Sequence, residues 1–160
     1  MSLTRIMLGL TLAAFATVVA AQEKRPGYGA PVNVSTAKKI AAGAVAECQK
    51  NGWNVAVAIV DPHGSLVYYE KMEDTQYASP DIAVGKARAA ATYRRPTRAF
   101  ADAINKGSPA TATLPGVFAS PGGVPLMVEG KVVGAVGASG ATGDQDEQCS
   151  KAGAAGAGFH

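Results

Sequence analysis

The chain has 160 residues, of which 48% are hydrophobic and 17% charged, a balance that suits one compact domain. The 15 basic residues against 12 acidic ones leave a formal charge of +3, too small a bias to argue for a nucleic-acid partner. The two cysteines form no Cys-x-x-Cys pair and the two histidines lie far apart, so no metal-ligand spacing is present.

Arg5, an uncharged and largely apolar run over residues 6–19 and the small residues Ala20 and Ala21 have the layout of a secretory signal peptide. The run is too short to cross a bilayer. Residues 1–21 are therefore expected to be a cleaved leader, with an uncleaved anchor as the alternative. The mature chain would be periplasmic or secreted and would keep no membrane span. Residues 22–34, with Pro26, Gly27, Gly29 and Pro31, read as an irregular arm.

Ser35 is a capping residue for a helix whose apolar stripe is Ile40, Ala44, Val45 and Cys48, ended by Gly52. Residues 55–60 are apolar at every position, as in a strand covered on both faces. Asp61-Pro62-His63-Gly64 supplies a turn, and residues 66–72 return as an antiparallel strand. Ser79-Pro80 reads as a hydroxyl cap with Pro at the first helical position, starting an Ala-rich helix to about Tyr93. Pro96 disfavours helix at Arg95, and Thr97 is placed to cap a third helix ending at Gly107.

Residues 108–123 form a long Pro- and Gly-containing loop, a kind that is more often functional than idle. Residues 124–128 and 131–138 predict a hairpin about Glu129-Gly130. A last helix starts near Gly143 with Asp144, Asp146 and Glu147 in its first turn, and the Gly/Ala run after it reads as frayed, residues 156–160 being tail. Helix, hairpin, two helices, hairpin, helix makes a single α+β domain over residues 35–155, with a mainly antiparallel central sheet flanked by helices.

Among candidate chemistries, the Gly134, Gly137 and Gly140 spacing lacks the ending of a phosphate loop, and small residues for close packing account for it better. Ser139 lacks a nucleophile elbow, and neither His63 nor His160 can be placed beside it. Cys48 falls on the apolar face of the first helix and Cys149 in the last. In an exported chain they are expected to be bridged, with two buried free thiols as the alternative. Lys86, Arg88, Arg94, Arg95 and Arg98 cluster near a helix junction, as a solvated face or as a patch for carboxylates.

The run from Asn51 to Met72, the Ser79-Pro80 helix leading to Arg94-Arg95-Pro96-Thr97, the stretch from Pro121 to Gly140 and that from Gln145 to Gly153 together resemble the GlcG/HbpS-like haem-binding family. That family is related to the C-terminal domain of PduO-type corrinoid adenosyltransferases. The resemblance implies a profilin- or roadblock-like sandwich, assembled as a homo-oligomer, with a small-molecule ligand and non-covalent haem as the cofactor. Covalent haem is excluded because no Cys-x-x-Cys-His is present.

A haem site needs an apolar slot, cations for the propionates and an axial ligand. His63 is a weak candidate for the iron, beside Met72, Met127, Tyr68, Tyr69 and Tyr93, with Arg94, Arg95 and Arg98 as propionate partners. On positions that match the family pattern or the basic corner, Lys86, Arg94, Arg95, Thr97, Gly122, Gly123 and Ser139 are the ligand-binding candidates. Lys86, Arg95, Thr97 and Ser139 are singled out for having no evident structural duty. Lys71-Met72-Glu73-Asp74 departs from the Arg-Met-Asp-Gly of many relatives, which leaves any role of that arginine unfilled. The alternative function is a small enzyme or accessory subunit acting on a carboxylated metabolite, such as a 2-hydroxy acid or an aromatic breakdown product. Lys86 and Arg95 would then clamp the carboxylate under the 108–123 loop.

Overall fold

The computed structural model describes residues 25–159, so the leader expected at 1–21 and His160 lie outside the described residues. The elements are β1 (Gly27–Tyr28), α1 (Val34–Lys50), β2 (Ala56–Val60), β3 (Leu66–Lys71), α2 (Ser79–Tyr93), α3 (Arg98–Asn105), a 3-10 turn (Pro109–Thr113), β4 (Gly123–Val128), β5 (Lys131–Ser139) and α4 (Gly143–Gly156). They form one α+β domain around a five-stranded sheet. β5 is its middle strand. β4 lies antiparallel along one edge of β5, while β2 takes the other edge from Ala135 to Ser139 and β1 takes it, in parallel, at Lys131 and Val132. β3 closes the far side of β2.

The two faces of β2 explain the layering. Val57 and Ile59 point into a core shared with Ile40, Ala44 and Cys48 of α1 and Cys149 of α4. Ala56 and Ala58 meet Ala83, Ala87, Ala90 and Ala91 of α2 on the other face. Alanine against alanine brings α2 close to the sheet, and Gly137 makes the approach possible. A Cβ there would stand 2.2 Å from the Ala83 carbonyl oxygen. The spaced glycines of β5 are thus a packing device, as the sequence indicates.

On the opposite face α1 crosses α4 at another glycine, since a Cβ on Gly153 would fall 2.4 Å from the Ile40 carbonyl. Cys48 and Cys149 are joined at this seam, with their Cα atoms 5.5 Å apart.

Several element ends differ from expectation. α1 is capped by Asn33, whose side chain accepts from Thr36 N at 2.9 Å, while Ser35 donates its hydroxyl to that same oxygen. Both residues are good caps, and sequence alone does not rank them. Ser79 lies within α2, buried and without a capping bond. The arm is not irregular throughout, because Gly29 N and Val32 N donate to the Val132 and Val133 carbonyls. α4 runs on to Gly156, and Phe159 packs against the core, so this end is not frayed. Gly153 is tolerated within the helix because it lies at the crossing with α1, where tertiary contact overrides propensity.

Candidate functional site

Lys86, Thr97, Gly122, Gly123 and Ser139 do come together, where α2, the entry to β4, the end of β5 and the start of α4 meet. The Lys86 ammonium is 2% exposed and donates to Asp146 Oδ2 at 2.7 Å and to the Ala138 carbonyl at 3.2 Å. Asp146 Oδ1 accepts from Ala141 N at 3.0 Å. Burial pushes the Asp146 carboxyl above its ordinary value, against the pull of Lys86 and of the Ala141 and Gly140 amides.

Thr97 caps nothing. Its Oγ1 accepts from Gly123 N and its own N donates to the Gly123 carbonyl, which fastens α3 to β4. A Cβ on Gly123 would lie 2.3 Å from the Lys86 carbonyl oxygen, and one on Gly122 would lie 2.9 Å from Lys86 Nζ. Ser139 Oγ reaches Ser79 Oγ at 3.4 Å, and Ser150 donates to the Gly122 carbonyl at 2.7 Å. The expectation that Lys86, Thr97 and Ser139 lack a structural duty is therefore corrected. They are the polar knot that ties four elements, closed to solvent.

The basic corner is dispersed. Arg94 adopts the left-handed conformation at the end of α2 and donates Nη1 to the Pro26 carbonyl, with its guanidinium 5.0 Å from the Tyr28 ring centre. Arg95 lies over the Phe100 ring at 5.4 Å. Arg98 is held by Glu147 and Asp144 of α4. Burial pushes the Glu147 carboxyl up, but the bonds from Arg98 and Lys151 more than offset this and hold it below the usual range.

Neither Lys86 nor Arg98 offers a free cation, so the expected carboxylate clamp of Lys86 with Arg95 is not formed. The 108–123 loop is also accounted for. Tyr93 donates to the Pro115 carbonyl at 2.6 Å, and Phe118 rests where a Cβ on Gly85 would meet its ring at 2.7 Å. It is pinned to α2. Arg95 is half-buried over the buried Phe100 ring, so replacing it with Ala should cost about 0.5–2 kcal/mol, the range for a cation–π contact, measured as a shift in denaturant midpoint.

Of the candidate iron ligands, Met72 packs against the α1-side core with its sulfur accepting from Val55 N at 3.5 Å. Tyr68 donates to Glu70, and Tyr93 is used as above. Met127 and Tyr69 are half-buried in the sheet. His63 differs. Asp61 Oδ1 accepts from the backbone amides of His63 and Ser65, at 2.8 and 2.9 Å, which fixes the turn and leaves the imidazole exposed. Its imidazole takes no partner among the described residues.

Arg88 lies alongside, its Nε donating to the Gly64 carbonyl at 3.0 Å while its terminal nitrogens take no partner among the described residues. Gly64 approaches Thr92, whose carbonyl accepts from the Tyr28 hydroxyl at 2.8 Å. Leu66 and Tyr28, each 49% exposed, add apolar surface to this end of the domain. Arg88 carries charge that the sequence shows, yet nothing in the sequence places it beside His63.

The profile of a family described as "Haem degrading protein HbpS-like" matches residues 32–155. Protein GlcG of Escherichia coli strain K12 is 42% identical over 100 residues, spanning 62% of this chain and 75% of GlcG. A crystal structure of HbpS is 32% identical with a TM-score of 0.75, covering 86% of this chain and 97% of that one. A crystal structure of a PduOC:haem complex shares the fold at 24% identity and a TM-score of 0.74, covering 81% of this chain and 97% of that one.

Proposed function

Because the chain belongs to the HbpS-like family, we propose that it is an exported accessory protein that binds haem or a related tetrapyrrole without a covalent bond. The observation that carries this reading is the family match over residues 32–155, which takes in the whole sheet except β1 and nearly all of the helical layers. Export rests on the leader-like residues 1–21, and the expected assembly is a homo-oligomer.

The residues at the β2–β3 turn have the chemistry that haem requires. His63 supplies an exposed imidazole on a turn whose backbone is fixed by Asp61, and the free end of Arg88 supplies a cation for a propionate. Leu66 and Tyr28 would lie against the ring. Haem bound there would bring its own iron chemistry, and His63 would supply a nitrogen ligand and Arg88 the charge that orients it. Both cysteines are held in the α1–α4 bridge, which fits non-covalent attachment.

Haemin titrated into the purified protein should give a saturable Soret shift with a defined stoichiometry. His63→Ala should weaken binding at least about tenfold and move the Soret band, and Arg88→Ala should weaken it by about 1–3 kcal/mol, the range for a charge-assisted bond. Absorption no more specific than that of an unrelated apolar protein would remove the haem reading. Unchanged binding by His63→Ala would move the site away from this turn.

A further inference from the structure

We infer a second binding site in the cleft between the N-terminal arm, the β4–β5 hairpin and the C-terminal Phe159, taking a small monocarboxylate with an apolar body. It goes beyond the haem reading, and its lining shares no residue with the His63 turn. The cleft measures about 370 Å³. At about 30 Å³ for each water-sized unit, that is room for roughly a dozen heavy atoms.

Its floor is apolar, made by Val32, Val133 and Phe159, with Pro31 and Val128 as walls. Val128 is 48% exposed at this wall, a cost in open apolar surface that an apolar ligand would relieve. The hollow is kept open by Gly29. A Cβ there would stand 3.0 Å from Val133 Cγ1 and 3.2 Å from Lys131 Cβ, so any side chain would intrude on the floor and on the lysine stem.

The polar rim selects the charge of the occupant. Lys131 lines the cleft, is exposed, and pairs with no acid among the described residues. Asn33 and Thr36 line it as well, at the start of the 17-residue helix α1, whose first turn carries no acidic residue. That start is capped by the neutral Asn33 side chain and carries no acid, so the helix dipole adds to the preference for an anion that Lys131 sets. Glu129 stands on the same rim and opposes a second negative charge. The combination admits one carboxylate, held at Lys131, and an uncharged tail over Val133 and Phe159. A dicarboxylate would put its second charge against Glu129 or against the apolar floor.

Hexanoate is the probe, titrated calorimetrically against hexanol, hexylamine and adipate as controls of equal carbon number. Hexanoate should saturate with an affinity at least about tenfold above each control, the scale of one charge-assisted contact. Lys131→Gln should bring hexanoate to the level of hexanol. Val128→Asp, which places a like charge on the wall, should abolish binding. Both residues are exposed, so the thermal midpoint and the haemin titration should stay at the parent values in both variants. If Val128→Asp fails to fold, Lys131→Gln decides alone. No saturable hexanoate binding, equal affinity for hexanol, or hexanoate affinity unchanged by Lys131→Gln would each overturn the site, whatever haemin does.

Discussion

Lys86→Met is expected to destabilise the domain by about 3–5 kcal/mol at neutral pH, more than any exposed change in the molecule. The variant keeps most of the side-chain volume and removes only the charge. What it leaves is Asp146, 2% exposed, with one oxygen facing a thioether and no counter-ion. The loss reports the stranded carboxylate and not the net value of the pair, so the double variant Lys86→Met/Asp146→Leu should recover much of it.

The pH dependence has a definite sign. Burial already holds the Asp146 carboxyl above its ordinary value, and losing Lys86 raises it further. A carboxyl whose folded pKa exceeds its unfolded value favours the fold at low pH, and loses that contribution as pH rises through the folded pKa. The penalty of Lys86→Met should therefore be largest at neutral pH and shrink on acidification towards about pH 4, the unfolded carboxylate range. Denaturant curves for the parent, the single and the double variant at neutral and acid pH measure all of this. A penalty below about 1 kcal/mol would mean that the junction rearranges to hydrate Asp146.

That same knot shows how far residue types alone carry the argument. The strands were legible because β2 is apolar at every position and β4–β5 turns on Glu129-Gly130, both residues at positive φ. Periodicity and turn chemistry are local, and they place elements to within a residue or two. Lys86 stood out as a cation in an Ala-rich helix with no partner nearby in sequence. Its partner Asp146 is 60 positions away and reads locally as a helix-dipole residue.

The arginines failed in the opposite direction. Arg94, Arg95 and Arg98 are neighbours in sequence, but the left-handed turn at Arg94 and the bend at Pro96 send them to Pro26, Phe100 and α4 respectively. Adjacent charges on a chain reversal need not share a surface. His63 was visible as a turn residue, whereas Arg88 at its side depends on how α2 lies over the sheet, which no local pattern encodes.

Replacing both Cys48 and Cys149 with Ala should leave the fold intact and lower its stability by about 2–5 kcal/mol. The residues are 101 positions apart, so the bridge closes a loop that takes in β2, β3, α2, α3, β4 and β5. In the chain-entropy account a loop of that length restricts the unfolded chain by at most about 4.7 kcal/mol, and the effect falls on the unfolded state. The native seam should survive, because Ile40 and Ala44 of α1 still meet Gly153 of α4. The denaturant midpoint should fall, and the m-value should rise as the unfolded chain expands.

Both cysteines are fully buried, so a reductant acts only on molecules that have opened. Reduction of the native protein should therefore be slow in buffer and accelerate steeply near the unfolding midpoint. Thiol counting in denaturant without reductant should find no free cysteine in protein prepared under oxidising conditions. Two titratable thiols would show that the helices pack without the bond, and the stability difference assigned to it would then vanish.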